Sequence, residues 1–255
     1  MIQMKNQQLM EDLSNPEIAE ILGAFIGDGW IENEEGAFYI AGSPIEDRLY
    51  YDDYLAPLFS KNFVEVKPRD FPYWKVYGIT TYKTEVIKRM LFLGFQKGKK
   101  CLVAKIPSPI MECRDEEVLK AIARGIFDTD GSFWCERSRA ITSTEWKRTH
   151  NYHPEMCIAS CSKVLLLQVQ DIFGRLGLES SVKDKHKAGF KYGRNFNNSY
   201  SLRIRKINEI ENWFKIVGSS NPRHQTRFGV WKKWGYLPPH TTINQRFVIL
   251  KINSS

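Results

Sequence analysis

The feature that most limits how this chain can fold is a short apolar segment that occurs twice, as ILGAFIGDG over residues 21–29 and as ARGIFDTDG over residues 123–131. Each copy ends in Asp-Gly, and the two aspartates, Asp28 and Asp130, lie 102 positions apart. Gly23 and Gly27 are four apart and share one helix face, as do Gly125 and Thr129 in the second copy. Glycine costs roughly 0.8–1 kcal/mol against alanine inside a helix, so two on one face imply a packing requirement. Small residues at this spacing let two helix backbones approach closely. Two such helices side by side bring Asp28 and Asp130 to adjacent C-termini, where they repel each other and the negative end of each helix dipole. A hard divalent cation reverses that balance, because carboxylate and carbonyl oxygens suit Mg²⁺. One Asp-Gly alone is an ordinary helix-ending turn. Two copies, each with its small-residue face, favour metal.

The segments that follow each copy recur in the same order. Asn15 and Pro16 start a helix that runs to about Asp28 and stops at Gly29. Strands are expected over residues 30–34 and 37–41, a helix over 45–59, strands over 63–69 and 74–80, and a helix over 83–93. Residues 98–114, with two prolines and part of a Lys cluster, form a linker between an N-terminal half, 1–97, and a C-terminal half, 115–255. In the second half Asp115 caps a helix to Asp130. Strands over 132–136 and 155–160, a helix over 163–176, strands over 180–185 and 199–205, and a helix over 207–217 follow. A basic loop, 187–198, separates the last two strands. Each half reads helix–strand–strand–helix–strand–strand–helix.

Charge is unevenly spread. Residues 1–110 carry 13 Lys/Arg against 15 Asp/Glu, a net of −2, and residues 111–255 carry 24 against 14, a net of +10. A basic surplus of this size favours a polyanionic partner but also describes many solvated surfaces. The five cysteines form no CxxC pair and their number is odd, which points to reduced, mostly buried thiols in a reducing interior. His150, His153, Cys157 and Cys161 have a spacing that matches no usual zinc site. No apolar run reaches membrane-spanning length and the polar N-terminus has no signal-peptide core, so a membrane partner and secretion are not expected, and a cytoplasmic or organellar interior is.

With these residues in place, the chain resembles the LAGLIDADG homing endonucleases of the two-motif, monomeric type. ILGAFIGDG keeps the third-position Gly23 and the final Asp28-Gly29 but has Ile26 at the sixth position, where the family has its first acid. ARGIFDTDG matches at Gly125, Asp128, Asp130 and Gly131. The resemblance implies an α+β fold with tandem αββαββα halves. These form a pseudo-twofold saddle, with antiparallel DNA-facing sheets and two packed LAGLIDADG helices at the centre. It implies that Asp28 and Asp130 bind Mg²⁺, for which Mn²⁺ can substitute, with the Gly27 and Thr129 carbonyls as further ligands. It also implies a basic residue near each scissile phosphate. Lys97, Lys99 and Lys100 in the first half and Arg223 and His224 in the second are the candidates. Laying the two halves on each other pairs Lys99 with Arg223 and Lys100 with His224.

The implied activity is sequence-specific hydrolysis of one phosphodiester on each strand of a long duplex, leaving short 3′ overhangs, by an intron-encoded enzyme. An RNA maturase acting on its host intron RNA, or a DNA-binding regulator without cleavage, stands as the alternative. Strand parity nominates the base-facing side chains, since alternate residues of a ribbon in the major groove face the bases. These are Trp30, Glu32, Lys67, Arg69, Lys75 and Tyr77 in the first half. In the second they are Ser132, Trp134, Glu136, Lys183, Lys185, Ser201, Arg203 and Arg205. Arg137, Arg139, Lys187, Lys191 and Arg194 are expected at phosphates. Any half-exposed sheet alternates in polarity, so the concordance of several basic strands carries this assignment.

Overall fold

The computed structural model describes residues 12–34, 36–136, 153–191 and 193–251. Arg137, Arg139 and the insertion holding His150 and Tyr152 lie outside the described residues. The first half opens with helix α1 (Pro16–Asp28), whose free N–H at Glu17 is accepted by the Asn15 side chain and whose first position holds Pro16. Strands β1 (Gly29–Ile31) and β2 (Phe38–Gly42) follow. Helix α2 runs from Arg48–Tyr50 through a wider π-helical turn, Tyr51–Leu55, into Ala56–Asn62. Pro57, which has no N–H to donate, lies just after that turn. Strands β3 (Arg69–Phe71) and β4 (Val76–Thr81) and helix α3 (Thr84–Phe92) complete the half. The four strands form one antiparallel sheet in the order β1-β2-β4-β3.

A short helix, α4 (Ser108–Glu112), sits within the expected linker. The second half repeats the plan with α5 (Glu116–Asp130, capped by Asp115), β5 (Gly131–Glu136), β6 (His153–Ser160), and α6 (Lys163–Arg175, capped by Ser162). Strand β7 (Ser181–His186) follows, and a small hairpin, β8 (Gly189–Lys191) and β9 (Arg194–Phe196), occupies the basic loop. Strand β10 (Ser199–Ile204) and α7 (Ile207–Ile216) close the repeat, and the second sheet is ordered β5-β6-β10-β7. Two further helices, α8 (Pro222–Trp234) and α9 (Ile243–Leu250), extend the second half beyond the repeat. In each half the helices cover one face of the sheet, which gives the α+β saddle that the family resemblance implied.

Two expected strands move. Residues 63–68 are irregular, because Pro68 cannot donate to a ladder, and β3 begins only at Arg69. Lys67 therefore lies outside any strand. Residues 72–75 turn, with Lys75 at φ +56°, so the ladder resumes with Phe71 opposite Val76. That register sends Tyr77 to the helix side. Its ring is buried there under the Arg48 guanidinium, 3.8 Å away, and its hydroxyl donates to Asp52. Tyr77 is thus a core residue, not a base-facing one. All five cysteines are free, but only Cys135 and Cys157 are buried. Among the described residues no helix is long and apolar enough to cross a membrane.

The centre of the molecule is the pairing of α1 with α5. A β-carbon built on Gly23 would overlap the Ile122 carbonyl and sit 3.1 Å from the Gly125 Cα. One built on Gly125 would overlap the Glu20 carbonyl and sit 3.0 Å from the Gly23 Cα. The obstructions are backbone atoms, which cannot swing aside. Gly29 and Gly131 are extended rather than left-handed; their β-carbons would run into the Phe25 and Phe127 rings. Around this seam Ile21, Leu22, Ala24, Ile122, Ile126 and Phe127 are buried in one core shared by both halves. In a free helix alanine outranks glycine by about 1 kcal/mol. Overpacking typically costs about 1–3 kcal/mol, so Gly23→Ala and Gly125→Ala should each shift the urea midpoint down despite the propensity gain. A midpoint unchanged or raised in both variants would contradict the close contact.

Candidate metal and nucleic-acid site

The two motif aspartates meet at the bottom of the saddle because both helices end there. A β-carbon on Gly27 would overlap the Thr129 hydroxyl and lie 3.3 Å from the Asp130 N–H, so the helix ends are in contact. Tyr51 donates its hydroxyl to Asp28 Oδ2 at 3.3 Å. Burial, followed by the charges of Asp130 and Asp47, pushes the Asp28 carboxyl up to about 8, against the pull of Arg223 and Lys100. Asp130 is also raised by burial, with Lys100 and Arg223 opposing. The pair is electrostatically frustrated in the way the motif spacing implied.

Two cations answer the helix ends rather than the carboxylates. Lys100 Nζ donates to the carbonyls of Phe25 at 2.5 Å, Ile26 at 2.5 Å and Gly27 at 2.8 Å, the open acceptors at the end of α1. Burial lowers the Lys100 ammonium to about 8, although Asp130 and Asp28 favour its charge. Arg223 does the same for α5, with Nη2 at 3.1 Å from both the Asp128 and Thr129 carbonyls, while Nη1 pairs with Asp47 at 3.1 Å. The spatial counterpart of Arg223 is therefore Lys100. Lys97 and Lys99 are exposed. His224 is fully buried against the Phe127 ring, 4.5 Å away, and packed beneath Arg223. Burial and the neighbouring arginines push its imidazole well below the usual range. Its neutral ring supports α5 and does not reach the aspartates. Helix α8 begins at Pro222, and this decides the register: the helix turns Arg223 inward over the carbonyls and His224 into the core.

The sixth motif position has a role the motif alone did not show. Asp128 is buried, accepts from the Ser219 hydroxyl, and accepts from the Ser220 N–H at 2.7 Å. It ties down the segment that delivers Arg223; its counterpart Ile26 is simply core. Asp47 and Asn221 were missed entirely. Asn221 Nδ2 donates to Asp47 at 2.8 Å and to the Asp128 carbonyl at 2.9 Å. These contacts span more than 90 positions, so no local pattern marks them. The Asn-Pro pair at 221–222 was a helix-start signal that could have placed Asn221 beside Arg223.

Among the described residues no group of three or more His, Cys, Asp and Glu converges as a metal cage. The donors at hand are two carboxylates and the helix-end carbonyls, an all-oxygen set that fits a hard divalent cation. The Gly27 and Thr129 oxygens are already engaged by Lys100 and Arg223, so the Asp28 and Asp130 carboxylates are the open donors.

On the open face of the second sheet, Ser132, Trp134 and Glu136 lie with Lys183, Ser201 and Arg203, through the pairings Ser132–Cys157, Arg203–Cys157 and Ser201–Lys183. Arg203 pairs with Glu155 at 3.2 Å and lies over Ser201, and Arg205 pairs with Glu155 at 2.7 Å and Glu136 at 3.3 Å. These arginines are partly neutralised. Lys183, Lys185 and Lys187 are exposed along the outer strand and beyond it, with a bulge beside Lys185. Lys191 and Arg194 pair in the hairpin. In the first half Trp30 is partly buried on the open face, stacked on Tyr39, Glu32 is partly buried just past β1, and Lys67, Arg69 and Lys75 are exposed.

Two close-packed glycine-faced helices, each ending in Asp-Gly, over two four-stranded antiparallel sheets are now in place. Residues 117–218 match the LAGLIDADG-like domain family. The first half, outside that match, repeats the element order and sheet order of the second. Among solved structures, I-DmoI in complex with DNA and Ca is 16% identical at a TM-score of 0.50, over 80% of this chain and 90% of that one. The N-terminal LAGLIDADG domain of DUF199/WhiA is 14% identical at 0.50, over 83% and 88%. Mesophilic variants of the homing endonuclease I-DmoI align at 15% identity and a TM-score of 0.49, over 81% and 97%. No curated protein matches the chain.

The raised Asp28 carboxyl has a consequence for stability. A carboxyl whose pKa is higher folded than unfolded favours the fold below the unfolded value, and that contribution is lost as pH rises through the folded value. The window for Asp28 runs from about 4 to about 8. In chelator, Asp28→Asn should therefore gain stability relative to the parent as pH rises through that window, read from urea midpoints. A difference that stays flat with pH would contradict the burial of an ionised Asp28.

Proposed function

We propose that this protein is a divalent-metal-dependent endonuclease that cuts both strands of a specific DNA duplex. The observation that carries the reading is the Asp28–Asp130 pair, two desolvated carboxylates held at touching helix ends between two open sheet faces. A half-buried pair of this kind costs stability that the Tyr51 hydroxyl and the nearby Lys100 and Arg223 charges only partly offset, which is the signature of a site built for a ligand. Asp28 and Asp130 would hold Mg²⁺ or Mn²⁺, which supplies an activated water and stabilises charge on the phosphate. Lys100 and Arg223 fix the helix ends so that the carboxylates keep their positions, and their charges lower the cost of ionising both acids. The open sheet faces would lie in the major grooves on either side.

The I-DmoI structure was solved with DNA and Ca, which supports a duplex and a divalent ion as the ligands here. Both halves reside in one chain, so we take the active form to be a monomer. Short 3′ overhangs and an intron setting belong to the same proposal. Nothing in the comparisons supports a host-intron RNA partner.

Cleavage of a plasmid library carrying candidate targets, with Mg²⁺ and then with EDTA, tests the activity. Asp28→Asn and Asp130→Asn should each abolish double-strand cleavage while changing DNA affinity by less than about tenfold. Full cleavage by either variant would remove its aspartate from the reaction. Binding should also weaken steeply with salt, each neutralised phosphate contributing a slope of about −0.9 in log K against log salt. Affinity unchanged between low and moderate salt would argue against a phosphate-tracking surface.

A further inference from the structure

The two open sheet faces are chemically unlike. In the first sheet the pairings Trp30–Tyr39, Tyr39–Thr80 and Phe71–Val76 put Trp30, Tyr39, Phe71 and Val76 on the side away from the helices. Trp30 stacks on Tyr39 with centroids 4.5 Å apart. Trp74, carried by the turn at residues 72–75, folds back edge-on to both, at 5.3 and 5.4 Å. Tyr39, Ala41 and Phe71 are buried in this cluster, which is separate from the main core. Trp74 remains 43% exposed and Tyr73 92% exposed. The Arg69 guanidinium lies over the Phe71 ring, 5.1 Å from its centroid, Glu32 stands close enough to Tyr39 to act on its hydroxyl, and Lys67 and Lys75 are exposed beside the cluster.

The corresponding face of the second sheet is built from ion pairs and lysines, and the sequence places a net −2 in residues 1–110 against +10 in residues 111–255. Both faces flank the same aspartates, since Trp30 and Ser132 follow the two Asp-Gly ends at equivalent positions. A duplex across the saddle would therefore meet a cluster of stacked aromatic rings with exposed cations beside it on the first side, and a face of ion pairs and lysines, with Trp134 among them, on the second. The thymine C5-methyl is the apolar feature of the major groove, and hydrophobic side chains read it by contact.

We propose that the first sheet reads its half of the DNA through thymine methyl groups, with Trp74 as the specificity-determining contact, while the second half supplies most of the phosphate electrostatics. This deepens the endonuclease reading and rests on it. The sheet commits the first half-site to thymine at the bases beneath Trp74, and leaves affinity on that side less dependent on salt.

Duplexes enriched from a random-sequence library by the full chain in Ca²⁺ provide the probe. Each thymine of the tightest duplex is then replaced singly by deoxyuridine, which removes the methyl and nothing else. The expected result is a loss of about three- to tenfold per methyl, confined to one half-site. In Trp74→Ala those losses should fall below twofold, while Trp74→Leu, which keeps an apolar surface, should retain part of them; urea midpoints verify that both variants fold. Lys187→Ala, at an exposed position expected on a phosphate, should leave the deoxyuridine losses intact and reduce the salt slope by about 0.9. Losses spread evenly over both halves, losses unaltered by Trp74→Ala, or a first half-site without thymine would overturn the proposal. Enrichment of a duplex that shows no methyl dependence refutes this inference alone; failure to enrich any duplex refutes the DNA reading beneath it.

Discussion

Two helices touch through bare backbone at Gly23 and Gly125, and most of the molecule follows from that contact. Backbones this close leave no room for side chains along the seam, so polar groups near it must pair across the two halves. Glu20 of α1 meets Arg124 of α5 at 2.6 Å and Ser220 at 2.8 Å. The same approach places Asp28 beside Asp130, half-buried, where desolvation raises both carboxyls. It also turns the last carbonyls of each helix inward, where water cannot reach all of them. Lys100 and Arg223 are the response, and each spends its hydrogen-bonding capacity largely on those carbonyls. The site and the scaffold are thus one packing problem.

The pseudo-symmetry is broken in a consistent direction. The second helix end is held by a network that the first lacks: Asp128 fixes residues 219–220, Asn221 bridges Asp47 to the Asp128 carbonyl, and Arg223 joins Asp47 to the helix end. Asp47 belongs to the first half, so that half helps position the second aspartate. Glu46, its neighbour, pairs with Arg227 of α8 at 3.2 Å and with the buried Arg246 of α9 at 2.7 Å. Helices α8 and α9 therefore act as a brace across the two repeats. One half is aromatic on its open face and acidic in sum. The other is ionic and basic. A pseudo-dimer freed from exact repetition can assign different work to its two sides.

Much of this was legible locally. Capping residues at Asn15 and Asp115, helical periodicity, and glycines at a four-residue spacing depend on neighbours a turn away, and the observed helices agree with them. Strand parity was legible only where no turn intervened. Tyr77 fell on the wrong face because the turn at residues 72–75 reset the register, and Pro68 delayed the strand before it. Lys99 and His224 were plausible partners only while the two halves were aligned by sequence; the start of α8 at Pro222 fixed which side chain turns inward.

By itself, then, the sequence determined the duplicated αββαββα plan, the pairing of two glycine-faced helices and the identity of the two aspartates, because each is written in spacings shorter than about two helical turns or in the repetition of such spacings. Tertiary structure alone decided which cation caps each helix, that Asp47 and Asn221 join the halves, and that one sheet face is aromatic while the other is ionic. Those outcomes depend on contacts between residues tens to hundreds of positions apart and on strand register, where a one-residue slip exchanges the two faces of a sheet. The repeated Asp-Gly segment stated that two carboxylates would meet; only the packed helices show what they meet against.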